Sequence, residues 1–321
     1  MKKIANFIIL GSVFLIILGM VIFVIALASN KFNFDTISND TKVVKTYEIS
    51  EEFYDIFINE KDFDINVIYS KDSENKIVVD EITNISHQIE VIENTLTISN
   101  TDTRKWYEKL FSFNNYKLTI YLSYEVINNL KINSSTSEIE VSNGFTFNNV
   151  EVISSTSDVD FSSNVIENIK INLSTGDIEL ENLTAKNIEL KVTTGDVELN
   201  DVTLSNELKL ECNTGDTTLE NVKCMNLCSN GTTGDIYLKN VSVNDLLNIT
   251  RDTGDVTFNK SDALSIKVKT STGNVKGSLL SRKCFIVKTS TGKKQVPESF
   301  SGGYCEITTS TGDVIIEIDN N

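Results

Sequence analysis

The chain has little of several things that chemistry usually needs: one histidine, one tryptophan and one proline in 321 residues. Any histidine-based triad would have to use His87. In "ISHQIEV" no spacing supplies it with a partner, and it reads as a surface strand residue. The five cysteines form no CxxC and no Cys/His cluster, which argues against a zinc site, and their odd number leaves at least one thiol unpaired. Basic residues are outnumbered, 29 Lys and Arg against 45 Asp and Glu, giving a net charge of −16. Phosphate binding needs clustered Lys and Arg, so nucleic acid is not expected as a partner. The same charge argues against adhesion to anionic lipid by charge alone.

What is present is enough for a core. Hydrophobic residues make up 40% and charged residues 23%, outside the range of disordered chains. The run from Ile4 to Ala28 has no charge and would span roughly 37 Å as a helix, enough to cross a bilayer. Lys2 and Lys3 precede it. The positive-inside rule then predicts a single-pass membrane anchor over 4–28. It leaves a cytoplasmic tip at 1–3, a linker at 29–42 and an extracytoplasmic remainder. The rival is a cleaved signal peptide, for which "ALAS" (Ala26 to Ser29) supplies a small-residue site. The apolar run is longer than the usual signal core.

Beyond the anchor, "STGDIEL" at Ser174 returns as "TTGDVEL" at Thr193. Aligned on the threonine, the motif falls at Thr136, Thr156, Thr175, Thr194, Thr214, Thr233, Thr253, Thr272, Thr291 and Thr311, every 19 or 20 residues. A fixed period of this length means stacked architecture. Apolar residues alternate on both sides of the threonine. Ile169 and Ile171, Ile188 and Leu190, and Phe285 and Val287 precede it; Ile178 and Leu180, and Val197 and Leu199, follow it. Period two means strand. Each unit is thus strand, tight turn, strand and a second corner often carrying Asn (Asn182, Asn221, Asn240). Neither strand can bury a face alone, so unit must stack on unit.

The predicted fold is all-β: a parallel β-solenoid of about ten coils over 126–321, right-handed by the general rule for parallel crossovers. A β-rich cap region over 43–125 precedes it. Strands are expected in "FDINVIY" and "YKLTIYL", with a hairpin signal in "IENTLTI". The segment "DTRKWYEKLF" (Asp102 to Phe111), with Trp106, Tyr107 and Phe111, reads as a short cap helix burying its aromatics. At the far end the last coil runs to the terminus, where Glu317 and Asp319 would guard an open edge by charge.

Glycine at the turn supplies a backbone with positive φ. The turn glycines are Gly176, Gly195, Gly215, Gly234, Gly254, Gly273, Gly292 and Gly312. Two places after each threonine stands an acid: Glu138, Asp158, Asp177, Asp196, Asp216, Asp235, Asp255 and Asp313, with Asn274 and Lys293 as exceptions. A ladder of like charges could be bridged by cations. One acid per turn and the break at Lys293 argue for a structural corner, so no metal and no cofactor are expected. The TGD turns join strand to strand, unlike phosphate-binding loops. Cys212 and Cys305 fall on the inward register, Cys224 and Cys228 lie near a corner, and Cys284 points outward.

The run of "STGD[IV]x[IV]" units behind an apolar segment and a β-rich opening resembles a bacterial family of uncharacterised β-strand-repeat proteins proposed to be adhesins. The likeness covers about residues 43–321 and rests on Thr175-Gly176-Asp177, Thr194-Gly195-Asp196 and Thr311-Gly312-Asp313. Ser137 and Ser157 depart from it in the glycine slot. The resemblance implies a solenoid in the cell envelope without enzymatic activity. The expected function is a membrane-anchored scaffold that binds an unknown surface ligand or envelope protein through a flat acidic face. The alternative is an envelope-stress or regulatory accessory acting through a membrane partner.

Overall fold

The computed structural model describes residues 2–29, 42–71, 75–105 and 116–319; in the first of these, side chains are described at 11–25 and 29. It falls into two compact units. The larger contains 44–80, 87–100 and 116–321, and the smaller contains the N-terminal segment with 81–86 and 101–115.

The larger unit is a parallel β-solenoid. Through the middle of the stack each lap lands on the previous one in register: Ile178 lies against Val197 and Leu180 against Leu199, while Ile169, Ile188 and Leu208 form one column. Side chains alternate along a strand, so one shared register puts every inward residue over another. Ile178 and Val197 are 1% and 2% exposed, and the columns on either side are equally covered. Each such aliphatic side chain contributes roughly 1.5–3 kcal/mol relative to exposure.

Each lap bends at three places. The first bend is the TGD turn. The second is a single left-handed residue, Asn182, Asp201, Asn221, Asn240 or Lys260, with φ between 51° and 55°. Asn and Asp tolerate that region better than most residues, which accounts for the Asn at this corner. The third bend is lined by an amide ladder. Asn168 donates to Asn149 at 2.9 Å, Asn187 to Asn168 at 3.0 Å and Asn206 to Asn187 at 2.7 Å.

Spatial order departs from chain order at both ends. Thr272 pairs with Thr311, and Thr311 pairs with Thr291. The last lap (Gly303–Thr311 and Val314–Ile318) therefore sits between the Val256–Thr272 lap and the Lys283–Thr291 lap. The opening behaves the same way. Asp55–Asn59 pairs with both Val126–Asn133 and Thr95–Asp102, and Phe63–Tyr69 pairs with both Thr136–Val141 and Tyr116–Leu122. The first lap in the chain is thus inside the second, and the winding already begins at Asp55. Lys76–Glu81 lies antiparallel along Tyr116–Leu122. Glu93 and Asn94 have φ of 48° and 61°, as a two-residue type I′ hairpin loop requires.

Three expectations are corrected. The open C-terminal edge is the penultimate lap, not the last. Glu317 and Asp319 do not lie on that lap; their own strand is paired on its outer side at Val314 and Ile315. Phe285 and Val287, predicted as core, are only half-buried because no further lap covers them. The single-pass membrane anchor over 4–28 does not stand either. An α-helix does run over Lys2–Ser29. Among the described residues, however, no helix is long and apolar enough to cross a membrane. The cytoplasmic N-terminus and extracytoplasmic remainder derived from that anchor fall with it. Residues 30–41 of the 29–42 linker and the aromatic cluster of Trp106, Tyr107 and Phe111 lie outside the described residues.

Candidate functional site

The TGD corner is built from backbone. All eight turn glycines have positive φ, from 122° at Gly176 to 159° at Gly273. At Gly215 a Cβ would stand 2.0 Å from the carbonyl oxygen of Gly195, and the Gly195 position repeats the contact with Gly176. Laps approach so closely there that only a hydrogen fits. Where serine replaces glycine, the corner is filled by hydroxyls instead. Ser134 bonds Ser137 at 2.6 Å, Ser137 bonds Ser157 at 3.1 Å, and Ser157 bonds Ser154.

The acids beside the glycines form a hydrogen-bonded ladder. The backbone N–H of Asp196 donates to Asp177 Oδ1, that of Asp216 to Asp196, that of Asp235 to Asp216 and that of Asp255 to Asp235, each at 2.7 Å. Asn274 N–H continues it to Asp255, Asp313 N–H to Asn274 Oδ1 at 2.9 Å, and Lys293 N–H to Asp313 at 2.8 Å. Glu138 N–H bonds Asp64 Oδ1 at 3.1 Å at the opposite end. Each of these carboxylates accepts a backbone N–H of the neighbouring lap. Among the described residues no group of three or more His, Cys, Asp or Glu is arranged to hold a metal. Lys293, an anomaly in the sequence, is the top rung, where no acceptor is required.

The two faces flanking this corner differ in charge. On the face before the threonine, Lys131, Glu151, Lys170, Glu189 and Lys209 stack in register with alternating sign. Lys131 meets Glu151 at 2.8 Å, Lys209 meets Glu189 at 2.6 Å, and beside them Lys191 meets Glu211 at 2.9 Å. The hydrogen bond from Lys209 holds the Glu189 carboxyl below its ordinary pKa.

On the face after the aspartate, Glu140, Asp160, Glu179 and Glu198 stack in register over four successive laps. All four are exposed. Among the described residues none of them joins an ion pair. Glu181 lies alongside, and a shallow hollow of about 200 Å³ opens among Glu140, Asp160, Phe161, Ser162, Glu179 and Glu181. The Asp160 carboxyl is raised from its ordinary pKa by partial desolvation and then by Glu138, Glu140, Asp158 and Glu181. Glu179 is raised by partial desolvation, then by its hydrogen bond to Glu181 and by Asp160. Like charges about one lap apart repel by roughly 1 kcal/mol even in water. The stripe is the candidate site. The sequence signal for it lies four places after the motif threonine, a column that core and corner assignments pass over.

Other predicted positions sort clearly. Cys212 and Cys305 are fully buried, as their inward register requires; Cys224 is buried, and Cys228 and Cys284 are half-buried. All five are free thiols. His87 is not a surface residue. Its side chain is fully buried with Nε2 3.6 Å from Glu60 Oε1, and its ring stands edge-on to Phe63 at 4.7 Å. Alternation in Ile85–Ile92 puts it on the inner side, and Glu60 gives the imidazole a polar neighbour.

Solved structures share this winding. A Parabacteroides distasonis protein proposed to bind lipid aligns at 17% identity over 73% of this chain and 96% of its own, with a TM-score of 0.52. A proposed adhesin from Parabacteroides merdae aligns at 15% identity over 75% and 97%, with a TM-score of 0.50. A proposed adhesin from P. distasonis aligns at 14% over 87% and 98%, with a TM-score of 0.49. At such identities the likeness concerns the fold. No curated protein matches the sequence. The family profile described as Toastrack DUF4097 matches residues 53–216 and again 204–321, so it covers the whole winding from before its first strand to the last residue. The chain belongs to the Toastrack DUF4097 family.

Proposed function

We propose that the solenoid is a non-enzymatic binding scaffold that captures a cationic surface ligand on the stripe of Glu140, Asp160, Glu179 and Glu198. One observation carries this reading. The chain alternates charge from lap to lap on one face and stacks four like charges on the neighbouring face. The alternating face shows that the repeat accommodates neutralised columns. A column left unneutralised lowers stability, and departures of that kind mark functional surfaces. Stacked strands hold the carboxylates at the lap spacing of about 4.8 Å, so an extended ligand with repeated positive groups would meet several at once. The shallow hollow suits a polymer or peptide lying across laps.

The test is binding of a fluorescent lysine-rich peptide to the full chain and to the variant Glu140→Gln/Asp160→Asn/Glu179→Gln/Glu198→Gln. The parent should bind with an affinity that falls steeply with salt. The variant should bind at least about tenfold more weakly. Equal binding by both would overturn the reading.

A further inference from the structure

We propose that the C-terminal tip of the solenoid is a second interaction surface, one that docks on an anionic lipid surface. The whole-chain charge conceals how charge is distributed. Between residues 126 and 240 there are 18 Asp and Glu against 7 Lys and Arg. The outermost lap and its loop, residues 280–301, have five basic residues and a single acid, Glu298.

One of the five, Lys283, is used internally. Buried, it reaches past Gly303 of the inserted lap to Asp262 Oδ1 and the Ala263 carbonyl, both at 2.6 Å. Arg282, Lys288, Lys293 and Lys294 are exposed, and among the described residues none of them forms an ion pair. The same lap and loop also expose apolar side chains. Phe300 is 98% exposed, Leu280 50% and Ile286 42%. Behind the Phe300 loop a hollow of about 500 Å³ is lined by Val296, Pro297, Ile316 and Ile318 together with Arg282, Glu298 and Glu317.

Edge protection explains part of this. Lysines on an outermost strand, with a proline in the loop that follows it, discourage pairing with another chain. Lys293 also offers no acceptor to a further TGD lap, so a second copy stacked end to end would lose the carboxylate ladder. A guarded edge does not call for a phenylalanine held out in solvent. A bare aromatic and four unpaired cations, all on one outer lap and its loop, fit a surface with negative headgroups above an apolar interior. This surface is separate from the acidic stripe and does not depend on the function proposed for it.

The experiment reads the tip alone. Phe300→Trp is introduced into the full chain, and emission quenching by brominated lipid is compared with the parent, whose own tryptophan gives the background. Vesicles are either phosphatidylcholine with 30% phosphatidylglycerol (about the charge of an anionic leaflet) or phosphatidylcholine alone. Extra quenching is expected on anionic vesicles only. Lys293→Ala/Lys294→Ala in the same background should weaken the partitioning that produces it by about 20-fold. Three outcomes overturn the proposal: no extra quenching, equal quenching on neutral vesicles, or concentration-dependent tip-to-tip self-association without lipid.

Discussion

Asp313 accepts the backbone N–H of Lys293 at 2.8 Å, so a residue twenty places later in the chain lies one layer nearer the centre of the stack. The opposite order would place Asp313 over Lys293, whose ammonium cannot accept its N–H. Ladder chemistry and lap order are therefore the same fact. Asn274 serves the ladder as well as aspartate does, through Oδ1. Asp216→Ala should cost about 1.5–3 kcal/mol, the loss of a charge-assisted bond to the Asp235 N–H. Asp216→Asn should cost less than half of that. Chemical denaturation of the two variants checks the order, and equal losses would contradict it.

Gly215→Val should destabilise the rod by about 2–4 kcal/mol, since positive φ and the contact with the Gly195 carbonyl both oppose a side chain. Thr218→Val, exposed in part on the following strand, is the control and should stay near parental stability. Thermal unfolding compares them. A loss at Gly215 no larger than at Thr218 would mean that the corner relaxes cheaply.

The acidic stripe gives a pH signature. Asp160 and Glu179 have pKa values raised in the folded protein. The folded state therefore holds these protons at a pH where the unfolded chain has released them. Their stabilising contribution is full below the ordinary carboxylate pKa and is lost as pH rises through the raised values. Asp160→Asn/Glu179→Gln should accordingly unfold at a higher temperature than the parent at pH 7. The gap should narrow as pH falls through the carboxylate range. A gap that is absent at pH 7 or grows on acidification would reverse the sign.

Burial separates the thiols. Cys224 and Cys305 are pushed up to about 12 by desolvation, and Cys212 is also raised, first by desolvation. Only thiolates react readily. Native protein at pH 8 should be alkylated quickly at Cys228 and Cys284 and slowly at the other three, as read by mass spectrometry of the digested peptides. Rapid labelling of Cys224 or Cys305 would mean that the stack opens locally.

The winding was legible because its cause is periodic. Thr175, Gly176 and Asp177 recur every lap, and alternation around them assigns Ile178 and Leu180 inward without any tertiary knowledge. Lap order was not legible. Lys283–Thr291 and Gly303–Thr311 have the same pattern, so either could have stacked on Val256–Thr272. What decides is pairwise: the Lys293 rung and the Lys283 contact with Asp262. Arg251 was hidden for a similar reason. It occupies an inward slot where alternation implies an apolar residue, and it fits because Gly231 leaves the space one lap below, where a Cβ would stand 2.5 Å from Nη1. It bonds Thr217 and Ser229 at 3.2 Å each. The stripe was half legible. The net charge forecast an acidic face, but only the register shows which acids share a column and which are matched by lysine.

Because the first and last laps lie second from the outside, neither begins or ends the stack at a free rim. A tug that reached Gly303–Thr311 would have to shear two rows of backbone bonds together, where a terminal lap in simple order would unzip one. Fraying should start instead in the middle of the chain's last fifty residues, at the outer lap that is tethered at both its ends.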